Sequence, residues 1–346
     1  MSPFQMVLAV RSISVLQHQP LTDHSRFKLL KKNLEDRHLV DISLSHTTLS
    51  IHRSFATHIL GLIEDAGHHQ LRVVFGRALL MVRTAFPMGS DIQAPTNHQW
   101  QQAQDVLPQV LSLASIYKKH VLKLLPTLQF AGLLADVANI LWEKGQTSDA
   151  FQIIEVGEEV CEALEKDPEI VPIHANITAI AGAVYAEVGF SGRAVAKVKL
   201  LKNLELRMLR LQYLEKEEKV KKHDGMLLSN GYNDYGCVLI QSEEWEEAES
   251  IHQKALALKT KYSTEADNPV QFGESYKNLA YVRLAQGKGP EAVDLAKRAY
   301  EGYSKEISEM NAATQKVKFV YANILLNTGD IQASKRLNKS VFNVRV

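Results

Sequence analysis

Apolar residues recur along most of this chain at the three- and four-residue spacing of amphipathic helices, in paired runs separated by short polar turns. The clearest pair is residues 229–262, SNGYNDYGCVLIQSEEWEEAESIHQKALALKTKY. Its pattern predicts one helix over about 232–241 and a second over about 245–261, with Tyr232, Tyr235, Leu239 and Ile251 as apolar filling. Gly236 and Ala248 lie twelve residues apart, and Ala255 follows seven later. Small side chains there let two helices approach more closely than Leu would permit. One such hairpin cannot bury its own apolar face, so copies of it are expected.

Copies follow when each is aligned on the small residue opening its second helix. Ala292 in PEAVDLAKRAY matches Ala248, with Ala280 in the place of Gly236. Ala150 in QTSDAFQIIEVGEEV matches, with Ala138 twelve residues before it, and Ala194 in SGRAVAKVKLL has Gly182 at the same distance. Ala333 in GDIQASKRLNKSV matches as well, although Tyr321 then stands where a small residue is required. The steps between anchors are 44, 54, 44 and 41 residues, and a turn glycine (Gly145, Gly189, Gly287, Gly329) precedes four of the five.

This set of hairpins resembles the tetratricopeptide repeat (TPR) family, whose minimal unit is 34 residues; the longer step here is like that of the kinesin-light-chain variety. Thr178 and Ala181 stand where bulkier residues are usual in that family, and His252 replaces the usual aromatic residue of the second helix. The resemblance implies a mostly α chain, with a TPR superhelix of about five hairpins over 131–346 and repeats near 131–166, 175–225, 229–262, 273–306 and 314–343.

The front of the chain has a different texture. HSRFKLLKKNLEDRHLV reads as a helix. LVDISLSHTTLSIH then alternates, with Val40, Ile42 and Leu44 on one face, a turn at His46–Thr48, and Leu49 and Ile51 beyond it. HRSFATHILGLI is a short helix. Helix, hairpin and helix are the parts of a winged-helix-like module, placed at 1–90. The segments LSIHRSFATHIL, FGRALLMVRTAFP, Trp100 and DVLPQVLSL, in that order, resemble the region between nucleotide-binding module and repeats in fungal receptor-like proteins of the NB-ARC/TPR type. Gln109 stands where that pattern carries His. No GxxxxGK[ST] phosphate loop is present, so the resemblance is to the C-terminal part of such a receptor, without NTPase activity. Residues 91–130 read as a helical connector, with Pro87 to Pro95 as a loop and breaks expected at Pro108 and Pro126.

Residues 203–224, NLELRMLRLQYLEKEEKVKKHD, account for the long step as an extension of a second helix. Its Glu215, Glu217 and Glu218 precede Lys219, Lys221 and Lys222, the pattern of a solvated, ion-paired face. The alternative is a basic patch at Lys219–Lys222.

Charge narrows the partners. Forty basic residues against 39 acidic give a net +1, with no overall attraction to nucleic acid or membrane. Two cysteines, Cys161 and Cys237, form no disulfide framework, which points to a reducing, cytoplasmic or nuclear setting. No run reaches the roughly 18 apolar residues of a membrane helix. The thirteen histidines, including His52, His58, His68 and His69, lack zinc-ligand spacing. Cys237 and His252 could meet across one hairpin, but no orienting group is evident for a nucleophile, so neither catalysis nor a cofactor is expected.

In the resembled family the first helices line a concave surface. With the small residue of helix one counted as position 8, positions 2, 5, 6 and 9 face inward. They hold Asp136 and Asn139; Asn176; Asn230, Asn233 and Asp234; Lys277, Asn278 and Tyr281; and Gln315 and Lys318. Asn side chains can donate to and accept from an extended peptide backbone at once, and the two lysines could hold a ligand carboxylate. The expected work is binding a protein or peptide in that groove, as sensing or adaptor arm of a receptor-like system, and self-association is compatible with it. An accessory scaffold for an enzyme pathway is the alternative, and a transcriptional regulator using the front module is a third reading.

Overall fold

A computed structural model describes residues 32–33, 35–36, 40–42, 49–51, 53–87, 99–217, 219–307, 309 and 311–342. The chain divides into two compact units, 1–180 and 181–346, each taken by itself below. Among the described residues no helix is long and apolar enough to cross a membrane.

In the first unit, β1 (Val40–Ile42) and β2 (Leu49–Ile51) pair antiparallel in the register Val40↔Ile51, Asp41↔Ser50, Ile42↔Leu49. Of the helix expected before them only 32–33 and 35–36 are described, and these are helical; Leu44, the turn at His46–Thr48 and His52 lie outside the described residues. α1 (Arg53–Asp65) and α2 (His68–Ala85) follow, divided at Gly67, whose φ of 96° favours glycine. α3 (Trp100–Lys119), α4 (Leu128–Glu143) and α5 (Thr147–Ala163) complete the unit, with the start of α6 (Ile170–Glu187). α2 packs on α3, and α3 on α4 and α5. Phe75, Tyr117 and Phe130, one from each of α2, α3 and α4, join at ring-centroid distances of 5.1–6.2 Å. The break expected at Pro108 is absent: α3 runs through it, because its apolar face (Ala103, Leu107, Val110, Leu113, Ala114, Tyr117) is buried throughout. The chain does break before α4, where Thr127 caps the helix by accepting from the Phe130 amide at 3.2 Å.

The stretch expected to be a helical connector is helical over Trp100–Lys119, and that helix packs on α2, α4 and α5. WQQAQ at 100–104 repeats the WEEAE pattern at 245–249, and Ala103 is buried as Ala248 is.

In the second unit, α7 (Phe190–Lys216), α8 (Lys222–Gln241), α9 (Trp245–Tyr262), α10 (Pro269–Ala285), α11 (Gly289–Glu306), α12 (Ala312–Asn327) and α13 (Ile331–Phe342) form consecutive hairpins. Gly182 lies against Leu200, where a Cβ would stand 2.4 Å from Leu200 Cγ. Gly236 lies under the His252 ring, where a Cβ would stand 2.6 Å from Cε1 and Nε2.

Four sequence expectations are corrected. α8 begins ten residues earlier than the periodicity indicated, because Gly225 and Gly231 are points of close packing, the first against Tyr262 and the second against Asn203, Leu204 and Arg207. α7 ends at Lys216, so Lys219–Lys222 is not a helical extension: Lys219 pairs with Glu217 at 3.3 Å, and Lys222 opens α8. The outer face of α7 is also less polar than its composition suggests, since Val198, Leu201, Met208, Leu209 and Tyr213 are exposed. Finally, two anchors move. Ala194 is exposed, and Ala196 is the buried contact in α7; in α13 Ser334 is buried while Ala333 is only partly so. Ser334 pairs at twelve residues with buried Ala322, which removes the misfit at Tyr321.

Gly145, Gly189, Gly287 and Gly329 have positive φ at the hairpin turns, as the recurring turn glycine implied. In the α8–α9 turn Glu243 takes that conformation, with φ 61°. Glu243→Gly should therefore raise stability by about 0.5–1 kcal/mol by removing a left-handed Cβ clash. Gly236→Ala should lower it by about 1–3 kcal/mol through overpacking. Gly76→Ala, in open space on α2, should be neutral or add up to about 1 kcal/mol. Chemical denaturation of the three variants checks the order; a Gly236→Ala protein as stable as the parent would contradict the close packing.

Candidate functional site

The eleven residues expected to line a groove fall in both units. In the first, Asp136 on α4 accepts an ion pair from Arg83 of α2 at 2.7 Å. Asn139 Nδ2 donates to Glu143 Oε1 at 3.3 Å, and Trp100 of α3 donates to the other Glu143 oxygen at 3.3 Å. The additional hairpin α2–α3 thus engages this face of α4, with Asn139 buried and Asp136 held in an ion pair. Asn176, on α6, is partly buried.

In the second unit α8 and α10 bring their polar residues together. Asn278 Nδ2 donates to Asn233 Oδ1 at 2.9 Å and approaches Cys237 Sγ at 3.3 Å. Those two contacts use the Asn278 donors and one acceptor of Asn233. The Asn233 amide hydrogens and the Asn278 carbonyl oxygen make no hydrogen bond with a described residue. Asn230 and Asp234 lie on the same helix as Asn233, and Lys277 and Tyr281 flank Asn278 on α10; Tyr281 is exposed.

Two residues that were not singled out in the sequence hold this face in place. Lys259, wholly buried on α9, donates to the Gln271 carbonyl at 2.7 Å and to Ser275 Oγ at 2.9 Å, tying α9 to the first turns of α10. Glu274 accepts from Lys277 at 2.5 Å on one oxygen and from Tyr303 at 2.8 Å on the other. Both were detectable. Glu274 occupies the position equivalent to Asn230, and Lys259 is a charge on an otherwise apolar stripe, one turn after Ala255.

Burial dominates the electrostatics. It pushes the Lys259 amine down to about 8, against the pull of Glu274 and Asp234. Burial also works to raise Glu274, but Lys277 and Tyr303 hold it below the usual carboxylate range. Asp234 is pushed up to about 7, first by burial; Arg207 and Lys259 oppose the rise and Glu274 adds to it. Burial, with Asp234 and Glu274, raises the Cys237 thiol to about 12. Burial lowers His252 to about 4, so at neutral pH a protonated thiol and a neutral imidazole stand in this hairpin, not a reactive ion pair.

The fifth hairpin departs from expectation. Gln315 and Lys318 are buried, and both turn to Glu309: Gln315 donates to its carbonyl, and Lys318 pairs with its carboxylate at 3.2 Å while lying over the Tyr300 ring. Neither lysine is left to hold a ligand carboxylate, since Lys277 is paired with Glu274. With the register moved one residue, the four equivalent positions become Lys316, Phe319, Val320 and Asn323, of which Lys316 and Phe319 are exposed and Val320 is buried.

No family model matches the sequence, and no curated protein matches it. Solved structures do. The apo form of the quorum sensor NprR from B. thuringiensis is similar over 84% of this chain and 71% of its own, at 12% identity and a TM-score of 0.53. A putative kinesin light chain from Podosopora anserina with nearly identical TPR-like repeats is similar over 61% of this chain and 92% of its own, at 14% identity and a TM-score of 0.44. BtubC (BKLC) from P. vanneervenii covers 78% and 91%, at 12% identity and a TM-score of 0.45. The fold is TPR-like: thirteen helices among the described residues, packed as consecutive hairpins.

His252 supplies a pH signature. Its ring is buried and neither nitrogen has a hydrogen-bond partner of good geometry. Its folded value lies below its unfolded one, so the stability tied to it is complete above about pH 6.5 and is lost as pH falls toward 4, by on the order of 3 kcal/mol. His252→Leu should flatten that loss and be neutral or stabilising at pH 7. Urea midpoints of both proteins between pH 4 and 7.5 check this; parallel curves would contradict it.

Proposed function

We propose that the second unit binds an extended protein or peptide segment, without catalysis, along the face where α8 and α10 meet. The observation that carries this reading is the Asn233–Asn278 pair. The 2.9 Å bond between the two amides leaves a donor on Asn233 and an acceptor on Asn278. One peptide unit offers the complementary acceptor and donor, so a backbone can be held whatever its side chains are. Lys259 and Glu274 keep α10 in place behind the pair, so little ordering is left for the moment of binding. TPR-like repeats generally bind proteins or peptides, and the quorum-sensor likeness supports a sensing role for a chain of this fold.

At finer grain, the role is that of the sensing or adaptor arm of a receptor-like system. The front-module motifs and the repeats behind them, in the order of the fungal receptor-like pattern, support this reading. The hairpin β1–β2 followed by α1 is consistent with a winged-helix-like front module.

The test is selection of a binder from a random-peptide library, followed by calorimetry on the tightest sequence. Asn233→Ala combined with Asn278→Ala removes both partners of the bond, so no buried amide is orphaned and the circular dichroism and melting temperature should hold. Affinity should fall at least about tenfold, the equivalent of one lost hydrogen-bonded pair. Equal affinity in the double variant would sink the assignment of this face.

A further inference from the structure

On the same face, and resting on the peptide-binding reading, the geometry points to Asp234 as a specificity residue that selects a basic side chain, Lys or Arg, in the bound segment. Asp234 is partly buried one residue beyond Asn233, where the peptide backbone is held. Its carboxyl accepts no hydrogen bond and forms no ion pair with a described residue. The other carboxylate of the face differs: both oxygens of Glu274 are taken, by Lys277 and Tyr303. The cations around Asp234 are also committed. Lys259 is spent on Gln271 and Ser275, Lys277 on Glu274, and Arg207 Nε on Asn203 at 3.3 Å.

A carboxyl drawn out of water without a donor is unfavourable unless something supplies one. At this position the ligand can. A neutral ligand group would leave the carboxyl half-protonated near pH 7, as burial already sets it. A guanidinium or ammonium would ionise it and be held by it. The groups facing Asp234 set the sign. Arg207 from α7 and Lys259 from α9 favour its ionised form; Glu274 from α10 opposes it, and Cys237 on α8 stays a neutral thiol. Binding of a cationic side chain should therefore release a proton from Asp234 and tighten as pH rises through 7.

The experiment takes the library-selected peptide and replaces each position in turn by Lys, Arg, Gln, Glu and Phe. At one position Lys or Arg should bind at least about tenfold better than Gln, the range of a charge-assisted hydrogen bond. Affinity for that Lys peptide should rise about tenfold between pH 6 and 8, following the ionised fraction of a group near 7. Asp234→Asn, which keeps the shape of the side chain, should bind Lys and Gln peptides alike and show no such rise. A substitution array with no position favouring a cation, or a preference that survives Asp234→Asn, overturns the inference while leaving the backbone-binding face standing. Failure of every library peptide to bind, or indifference to the double Asn variant, overturns the binding reading and this inference with it.

Discussion

Helices can share an apolar surface only when their axes come within about 8–10 Å, and the side chains at the crossing decide whether they can. In this protein the crossings are made by residues with almost no side chain. Gly182 sits against Leu200 and Gly236 under the His252 ring, while Ala138, Ala150, Ala248, Ala280, Ala292 and Ala322 are wholly buried. Because every hairpin has such a crossing, the hairpins repeat in shape although their sequences share little else. Each then leaves one apolar flank for its neighbour, and stability grows by adjacent pairs, with no central core required.

The same constraint creates the polar face. Once consecutive hairpins stack, their first helices are neighbours, and the residues on those helices that face neither partner must be satisfied another way. α8 and α10 answer with amides that bond across the gap, Asn278 to Asn233, and Lys259 of α9 bonds to Ser275 from behind. In the first unit Arg83 takes Asp136 and Glu143 accepts from the Asn139 amide, while Asn139 Oδ1 is buried without a hydrogen-bond partner among the described residues. Equivalent repeat positions therefore differ in whether they still have hydrogen-bonding capacity to offer. A polar residue at a lining position is a candidate ligand contact only while its neighbours leave it something to give.

Much of this architecture was legible in the amino acids. The helix pairs from residue 128 onward, the turn glycines and three of the five small-residue anchors (Ala150, Ala248 and Ala292) follow from spacing. What escaped detection has specific causes. Gly225 and Gly231 read as helix breakers, yet they are the places where Tyr262 and Asn203 come closest, so the first ten residues of α8 were invisible to periodicity. The α2–α3 hairpin was hidden by the long segment joining its helices, although WQQA signalled it. In the fifth copy a one-residue slip placed Ala333 and Tyr321 where Ser334 and Ala322 belong, and with them Gln315 and Lys318. A serine in a small-residue slot is easily passed over beside an alanine. The pairing of lysines with Glu274 and Glu309 depends on tertiary neighbours, and no local pattern encodes it.

Peptide binding on the α8–α10 face is tested by mapping a bound peptide on the protein by NMR, following the side-chain amides of asparagine as well as the backbone. The expected result is that the Asn233 and Asn278 side-chain signals and the backbone of α8 and α10 shift together, while α9 and α11 stay unperturbed. Shifts concentrated on the second helices of the hairpins, with the two asparagines unmoved, would contradict it.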